Sequence, residues 1–298
     1  MTRTFAILTL FVLAGSLPAG GDAVKKTIVY IQKLQTDSGG FRANEPKADI
    51  NVLPTLRATS SAIRALKYWE GDLPNKDKCV KFVESCWDAE VGAFADQPKG
   101  IPDVFTTAVG LMAVVELKMP ADKYVDAATT YLNTHAKTFE EIRIAAAGFE
   151  PVNKKSARAA DWMDEVEKLW NKKDGPFNTK GPGMARDLAS VFVTKLRLSG
   201  ERKFRDPVVN DLDQGQRKNG GWGKADSEIA SDLETTYRVV RCYAMLKHPM
   251  GNREAVRSFV AKCRNSDGGY AVVPGQPSSV SGTYFAGIVL HWVRENPK

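Results

Sequence analysis

Val256-Arg257-Ser258-Phe259-Val260-Ala261-Lys262-Cys263, followed five residues later by Gly268-Gly269-Tyr270, is the stretch on which the fold turns. Its apolar or small side chains fall at i, i+3, i+4 and i+7, which is one face of a helix. The glycines supply the positive φ that a helix C-terminus needs, and an aromatic follows. The same sentence is spelled twice more. Thr27 to Leu34 precedes Gly39-Gly40-Phe41, and Cys79 to Cys86 precedes Gly92-Ala93-Phe94. Two further turns of this kind stand at Gly175-Pro176-Phe177 and Gly220-Gly221-Trp222.

The spacing gives a count. Trp222 to Tyr270 is 48 residues, Phe177 to Trp222 is 45 and Phe41 to Phe94 is 53. Phe94 to Phe177 is 83, two periods with one degenerate turn, expected between His135 and Phe139. Six units of this length are helical hairpins, stacked or ringed. Each turn leads into a second helix with small residues near its start: Thr59-Ser60, Thr106-Thr107, Ala145-Ala146, Ala189-Ser190, Thr235-Thr236 and Gly282-Thr283. Crowding near a common axis is one reason for small residues there. The aromatic after each turn is expected to plug the joint between the two helices, with Phe41, Trp222 and Tyr270 buried.

Composition sets the frame. The chain has 298 residues, 43% hydrophobic and 26% charged, with a formal charge of +7. Arg3, then the apolar run Phe5 to Ala14, then small residues to Ala23 read as a signal peptide over residues 1–23. Cleavage is expected after Ala19 or Ala23, and an uncleaved anchor is the alternative. Residues 24–298 are expected to form a single exported domain without a later membrane span. Lys and Arg are scattered rather than clustered with aromatics, so no nucleic-acid partner is expected.

Gln35-x-x-x-Gly39-x-Phe41 and Gln216-x-x-x-Gly220-x-Trp222 resemble the QW motif of squalene and terpene cyclases, whose hairpin also builds the β subunits of protein prenyltransferases. The resemblance covers the mature chain. It implies an all-α fold, an α6–α6 toroid closed from about six hairpins around a central cavity, with an open solenoid as the structural rival. It does not by itself fix a chemistry.

Protein prenyltransferases hold zinc through an Asp-x-Cys-Tyr motif and a His-Thr pair. The matching residues here are Glu234-Thr235-Thr236-Tyr237 and Gly282-Thr283, so one carboxylate of three ligands remains, and no metal or other cofactor is expected. Where the family's diphosphate-holding cations stand, this chain has Glu228 and Ser231, with Lys224 out of register. Asp211-Leu212-Asp213-Gln214 is a partial match to the acidic motif of proton-initiated cyclases, on an outer helix. Those cyclases are expected to use two toroids. No Cys is followed by Gly, which excludes a thioester domain.

Cys79, Cys86, Cys242 and Cys263 read as small buried hydrophobes, with a Cys242–Cys263 bridge as the alternative. His135 is expected in a core slot of the third outer helix, and His248 and His291 at helix ends. In a closed ring the N-termini of the inner helices meet at one end and favour anions. The ligand-contact candidates there are Arg57, Asp103, Arg186, Asp232 and Glu234, with Arg143 and Asp187 beside them. Helix capping by Asp103, Asp187 and Asp232 is the competing explanation.

The function expected is binding of a hydrophobic or amphipathic small molecule (an isoprenoid or a lipid) or a peptide, without zinc-dependent prenyl transfer. A divergent prenyltransferase-like transferase and a carbohydrate-active (α/α)6 enzyme are the alternatives, the latter requiring paired carboxylates.

Overall fold

A computed structural model describes residues 21–46, 52–179, 182–224 and 231–296. The proposed signal peptide lies almost wholly outside the described residues. Twelve α-helices among them alternate between two layers. The outer set is α1 (Gly21–Lys33), α3 (Lys76–Ser85), α5 (Val125–His135), α7 (Ala159–Asn171), α9 (Arg205–Gln214) and α11 (Arg253–Lys262). The inner set is α2 (Leu56–Tyr68), α4 (Val104–Leu117), α6 (Phe139–Phe149), α8 (Ala185–Ser199), α10 (Leu233–Leu246) and α12 (Val280–Glu295). Each inner helix packs on the next in chain order, and α12 packs back on α2. That last contact closes the ring and excludes an open solenoid.

The glycine turns explain the closure. Gly39, Gly220 and Gly268 have φ of +89°, +95° and +92°, which other residues rarely adopt. A Cβ at Gly220 would lie 2.0 Å from the Ala255 carbonyl oxygen at the start of α11. One at Gly39 would lie 2.2 Å from the Lys78 backbone in α3, and one at Gly268 2.6 Å from the Lys26 carbonyl in α1. Each turn therefore docks its bare backbone on the outer helix of the next hairpin, and the sixth docks on the first. The Gln35 and Gln216 side-chain amides donate across their turns to the Gly39 and Gly220 carbonyls, at 3.0 and 2.9 Å.

The joint aromatics Phe41, Phe94, Trp222 and Tyr270 are all buried. Their amides are held in one repeated way, donating to Thr59 Oγ1 at 2.9 Å, Thr107 at 3.1 Å, Thr236 at 3.2 Å and Thr283 at 3.0 Å. At four of the six joints this adds a second reason for the small residues beside crowding. The threonines satisfy a buried amide at the joint, which an apolar residue of the same size cannot do. The third and fourth hairpins depart from the pattern. The degenerate turn falls where expected, and Thr138 caps α6 through a capping box with Glu141. Phe177 is only half-buried and stacks at 4.3 Å on Trp170, which is the buried ring of that hairpin.

Thr55, Asp103, Thr138, Asp232 and Ser279 cap α2, α4, α6, α10 and α12 through their side chains. Asp187 is not a cap; it is the third residue of α8. The four cysteines are buried and free, and burial pushes each thiol up to about 12, so they pack as apolar groups. His135 is exposed rather than in the core, with its ring stacked on Tyr131 at 4.1 Å.

Candidate functional site

The inner helices run parallel, so the ring has an N-terminal rim and a C-terminal mouth. At the rim the sequence candidates pair with one another. Arg57 Nη2 lies 2.9 Å from Asp103 Oδ2, with both side chains about half exposed. Arg186 Nη2 lies 2.6 Å from Glu234 Oε1. Asp232 is buried as the cap of α10, accepting from the Thr235 amide and hydroxyl. Glu234 also meets Arg238 at 3.0 Å and Lys224 at 3.4 Å.

Arg238, which sequence reasoning missed, is the centre of this network. Its Nη1 reaches Glu140 at 3.1 Å and Ser190 Oγ at 3.0 Å. Burial alone would raise the Glu140 carboxyl, but hydrogen bonds and charge from Arg238 and Arg143 outweigh it and hold it at about 2. Glu234 is likewise lowered, burial being outweighed by Arg186, Arg238 and Lys224. Asp187 moves the other way, because desolvation there exceeds the pull of Arg186 and Arg238. Three carboxyls of opposed character thus stand around one guanidinium.

Deeper inside, aromatic rings of α2, α10 and α12 converge. The Tyr237 ring lies 4.9 Å from Phe285, 5.7 Å from Trp292 and 5.8 Å from Tyr284. Tyr68 lies 6.3 Å from Tyr284. Two arginines cover these faces. Arg64 sits 4.5 Å over Tyr284 and hydrogen-bonds its hydroxyl, and Arg241 sits 4.3 Å over Tyr237 and 5.5 Å over Trp292. Arg197 of α8 is the third cation. Burial, then the charges of Arg197 and Arg64 among its neighbours, draws Arg241 down to about 9, so it stays protonated at neutral pH. Arg64 on α2 and Arg197 on α8 feel each other from opposite sides of the ring, and Arg241 stands on α10 next to α8. The sequence carried a signal for two of them. Arg64 and Arg241 each stand five residues after a joint threonine, inside otherwise apolar helix sequence, where α4 has Met112 and α12 has Ile288.

The zinc positions of the resemblance do not fit a metal. Glu234 is held by three cations. The Thr236 hydroxyl is turned to the Trp222 amide. A Cβ at Gly282 would lie 2.3 Å from the Tyr270 carbonyl oxygen, so that position faces the joint and not the lumen. By the threonine register, Ser281 is the lumen-side equivalent of Glu234. A lone carboxylate with threonine and serine lacks the N, S or carboxylate donors zinc requires. Among the described residues no group of three His, Cys, Asp or Glu side chains converges. On outer helix α9, Asp213 accepts from the Tyr243 hydroxyl at 2.7 Å, a structural bond away from the lumen.

Comparison with known proteins agrees with this architecture. A family model described as the prenyltransferase alpha-alpha toroid domain matches residues 2–75, 70–135 and 143–295. No protein of curated function matches the sequence. Among solved structures, the type II terpene cyclase MstE from Scytonema, in complex with geranylgeranyl dihydroxybenzoate, superposes with a TM-score of 0.62 at 10% identity, over 93% of this chain and 97% of that one. A glycosidase in complex with glucose gives 0.60 at 9% identity, over 93% and 97%. A GH76 alpha-mannanase from Bacteroides thetaiotaomicron gives 0.59 at 12%, over 92% and 94%. At such identities the likeness is one of fold. It also corrects the expectation of two toroids, because nearly all of the MstE chain is covered by this single ring.

Proposed function

The chain belongs to the prenyltransferase alpha-alpha toroid family, and from that premise we propose that it is an exported toroid that binds an amphipathic ligand in its lumen, without zinc-dependent prenyl transfer. The observation that carries this is the lumen lining, a half-buried set of aromatic rings with arginines on their faces. Flat rings offer apolar area for a chain or ring system, and a few placed polar groups orient it. Export is supported by the order of Arg3, the apolar run from Phe5 to Ala14, and the small residues after it.

The same lining argues against two chemistries of the fold. Cyclisation through a carbocation needs π faces that no other cation engages, and here Arg64 or Arg241 already occupies one face of Tyr284, Tyr237 and Trp292. Their charge also raises the energy of a further cation. Zinc-dependent transfer lacks its ligands. A carbohydrate-active reading has one specific observation in its favour. Glu140 and Glu234 are lowered while Asp187 is raised, and acid–base pairs are made by such divergence. Both ionised carboxylates, however, are clamped by arginines, which removes their freedom to act as base or nucleophile.

The test is a thermal-shift series on the mature protein with prenyl alcohols and fatty acids of increasing length, run beside hydrolysis assays on glucosides and mannosides. Stabilisation that grows with chain length, without hydrolysis, supports the proposal. Hydrolysis abolished by Asp187→Asn, with no response to the amphiphiles, replaces it with the carbohydrate reading.

A further inference from the structure

The C-terminal mouth of the ring holds a second feature. Between α6, α7, α8 and α10 lies a cavity of about 340 Å³. Ala146, Phe149, Leu196 and Met245 give it apolar walls, Lys154 and Lys155 stand at its edge, and Arg197 lines its inner side. The Arg197 side chain is only 7% exposed. Its Nε donates to Glu150 at 2.9 Å, but its buried Nη1 has no hydrogen-bond partner. Arg241, on the neighbouring inner helix α10, makes no hydrogen bond with the described residues and rests on the ring faces of Tyr237 and Trp292. Arg64 adds a third charge. Arg197 and Arg241 share the carboxylate Glu150, whose side chain is 55% exposed, and Glu116 stands near Tyr68 beside Arg64 and Arg241.

A buried donor with no acceptor is costly, and more so when it is charged. The guanidiniums raise one another's energy, and burial first and then the charges of Arg197 and Arg64 draw Arg241 down. An anion in the cavity would offset the excess charge, and a turn of the Arg197 guanidinium would give Nη1 an acceptor. The tertiary arrangement is therefore more favourable with an occupant than without one.

We infer that the cavity at the C-terminal mouth, bounded by Arg197, Lys154 and Lys155, binds the anionic end of an amphipathic ligand, a carboxylate or phosphate group. The inference rests on the reading of the lumen as a ligand site and adds polarity to it. The charged end lies at the C-terminal mouth against Arg197, and the apolar body lies along Tyr237, Phe285 and Trp292. A guanidinium suits such a group because its donors match two oxygens at once. The two lysines supply attraction at the entrance that salt screens.

The test uses the mature protein and three probes of equal chain length: a long-chain fatty acid, the corresponding alkyl phosphate and the corresponding alcohol. Binding is read by isothermal titration at low and high salt. The carboxylate or the phosphate is expected to bind at least roughly tenfold more tightly than the alcohol, as one charge-assisted pair supplies. Which of the two binds better identifies the headgroup. Arg197→Met should bring the anionic probe down to the alcohol's affinity and leave the alcohol unchanged. Because loss of Arg197 leaves Glu150 unpaired, Lys154→Ala/Lys155→Ala is the second variant. It keeps the core intact and should weaken the anionic probe about two- to threefold while flattening its salt dependence. Equal affinity for all three probes, unmoved by either variant, overturns the anion site while sparing the lumen as an apolar site. No binding of any probe overturns both.

Discussion

Replacing Thr236 by Val tests how the hairpins are joined. The two side chains have nearly the same shape, so packing around α10 changes little. What is lost is the hydroxyl that accepts the Trp222 amide at 3.2 Å, in a place where Thr236 is fully buried and Trp222 is 1% exposed. Water has no access, so the amide is left without an acceptor. Such a group costs about 1–3 kcal/mol, and the added methyl returns up to about 0.8 kcal/mol of burial. The expected net loss is about 1–2 kcal/mol, or roughly 2–8 °C in Tm for a chain of this size. Urea denaturation of the variant, with amide exchange at Trp222, reads both the energy and its location. Thr59→Val, Thr107→Val and Thr283→Val should behave alike, since their bonds span 2.9–3.1 Å. If all four variants fall within about 0.5 kcal/mol of wild type, the hydroxyls do not hold the joints and close packing alone explains the small residues.

Other consequences are equally direct. Gly220→Ala should cost well over 2 kcal/mol, because it adds a clash with Ala255 to the cost of a positive φ; Gly200→Ala, at φ +72° with open space, should cost only about 1 kcal/mol. Paired denaturation curves check the difference, and equal losses would show that the turn does not dock on α11. Truncating Trp222 to Ala should cost roughly 3–5 kcal/mol, and a loss near zero in the same assay would place the ring outside the joint. Glu140 has a folded-state value of about 2 against an ordinary 4.5, so its stabilisation is present above pH 4.5 and is lost as pH falls toward 2. Acid titration of wild type and Glu140→Gln should converge below that window and separate above it. Parallel curves throughout would show that the Arg238 network carries no net stability.

The fold was legible because its punctuation is local. A glycine turn followed by an aromatic is forced by positive φ at Gly39, Gly220 and Gly268 and by the docking of their backbones, so it leaves a repeat in the chain. The joint threonines were visible as small residues, but their bond to an amide from the preceding turn is a tertiary fact. The site was less legible for the same kind of reason. Arg186 and Glu234 were read as separate candidates near helix starts, and only the ring shows that they bind each other, 48 residues apart. Arg197, a basic residue in the last turn of its helix, carries no signal in the sequence, because its burial depends on α6 and α10. The reading of Gly282 as a zinc position failed because adjacent residues of a helix face about 100° apart. One step separates the lumen face at Ser281 from the joint face at Gly282.

Native mass spectrometry of the protein recovered after export, with metal analysis and extraction of bound small molecules, tests the central claim most directly. The account predicts a mature chain without zinc that carries, or readily takes up, an anionic amphiphile as a one-to-one adduct, lost on Arg197→Met. Stoichiometric zinc that disappears together with prenyl-transfer activity on Glu234→Ala would contradict it.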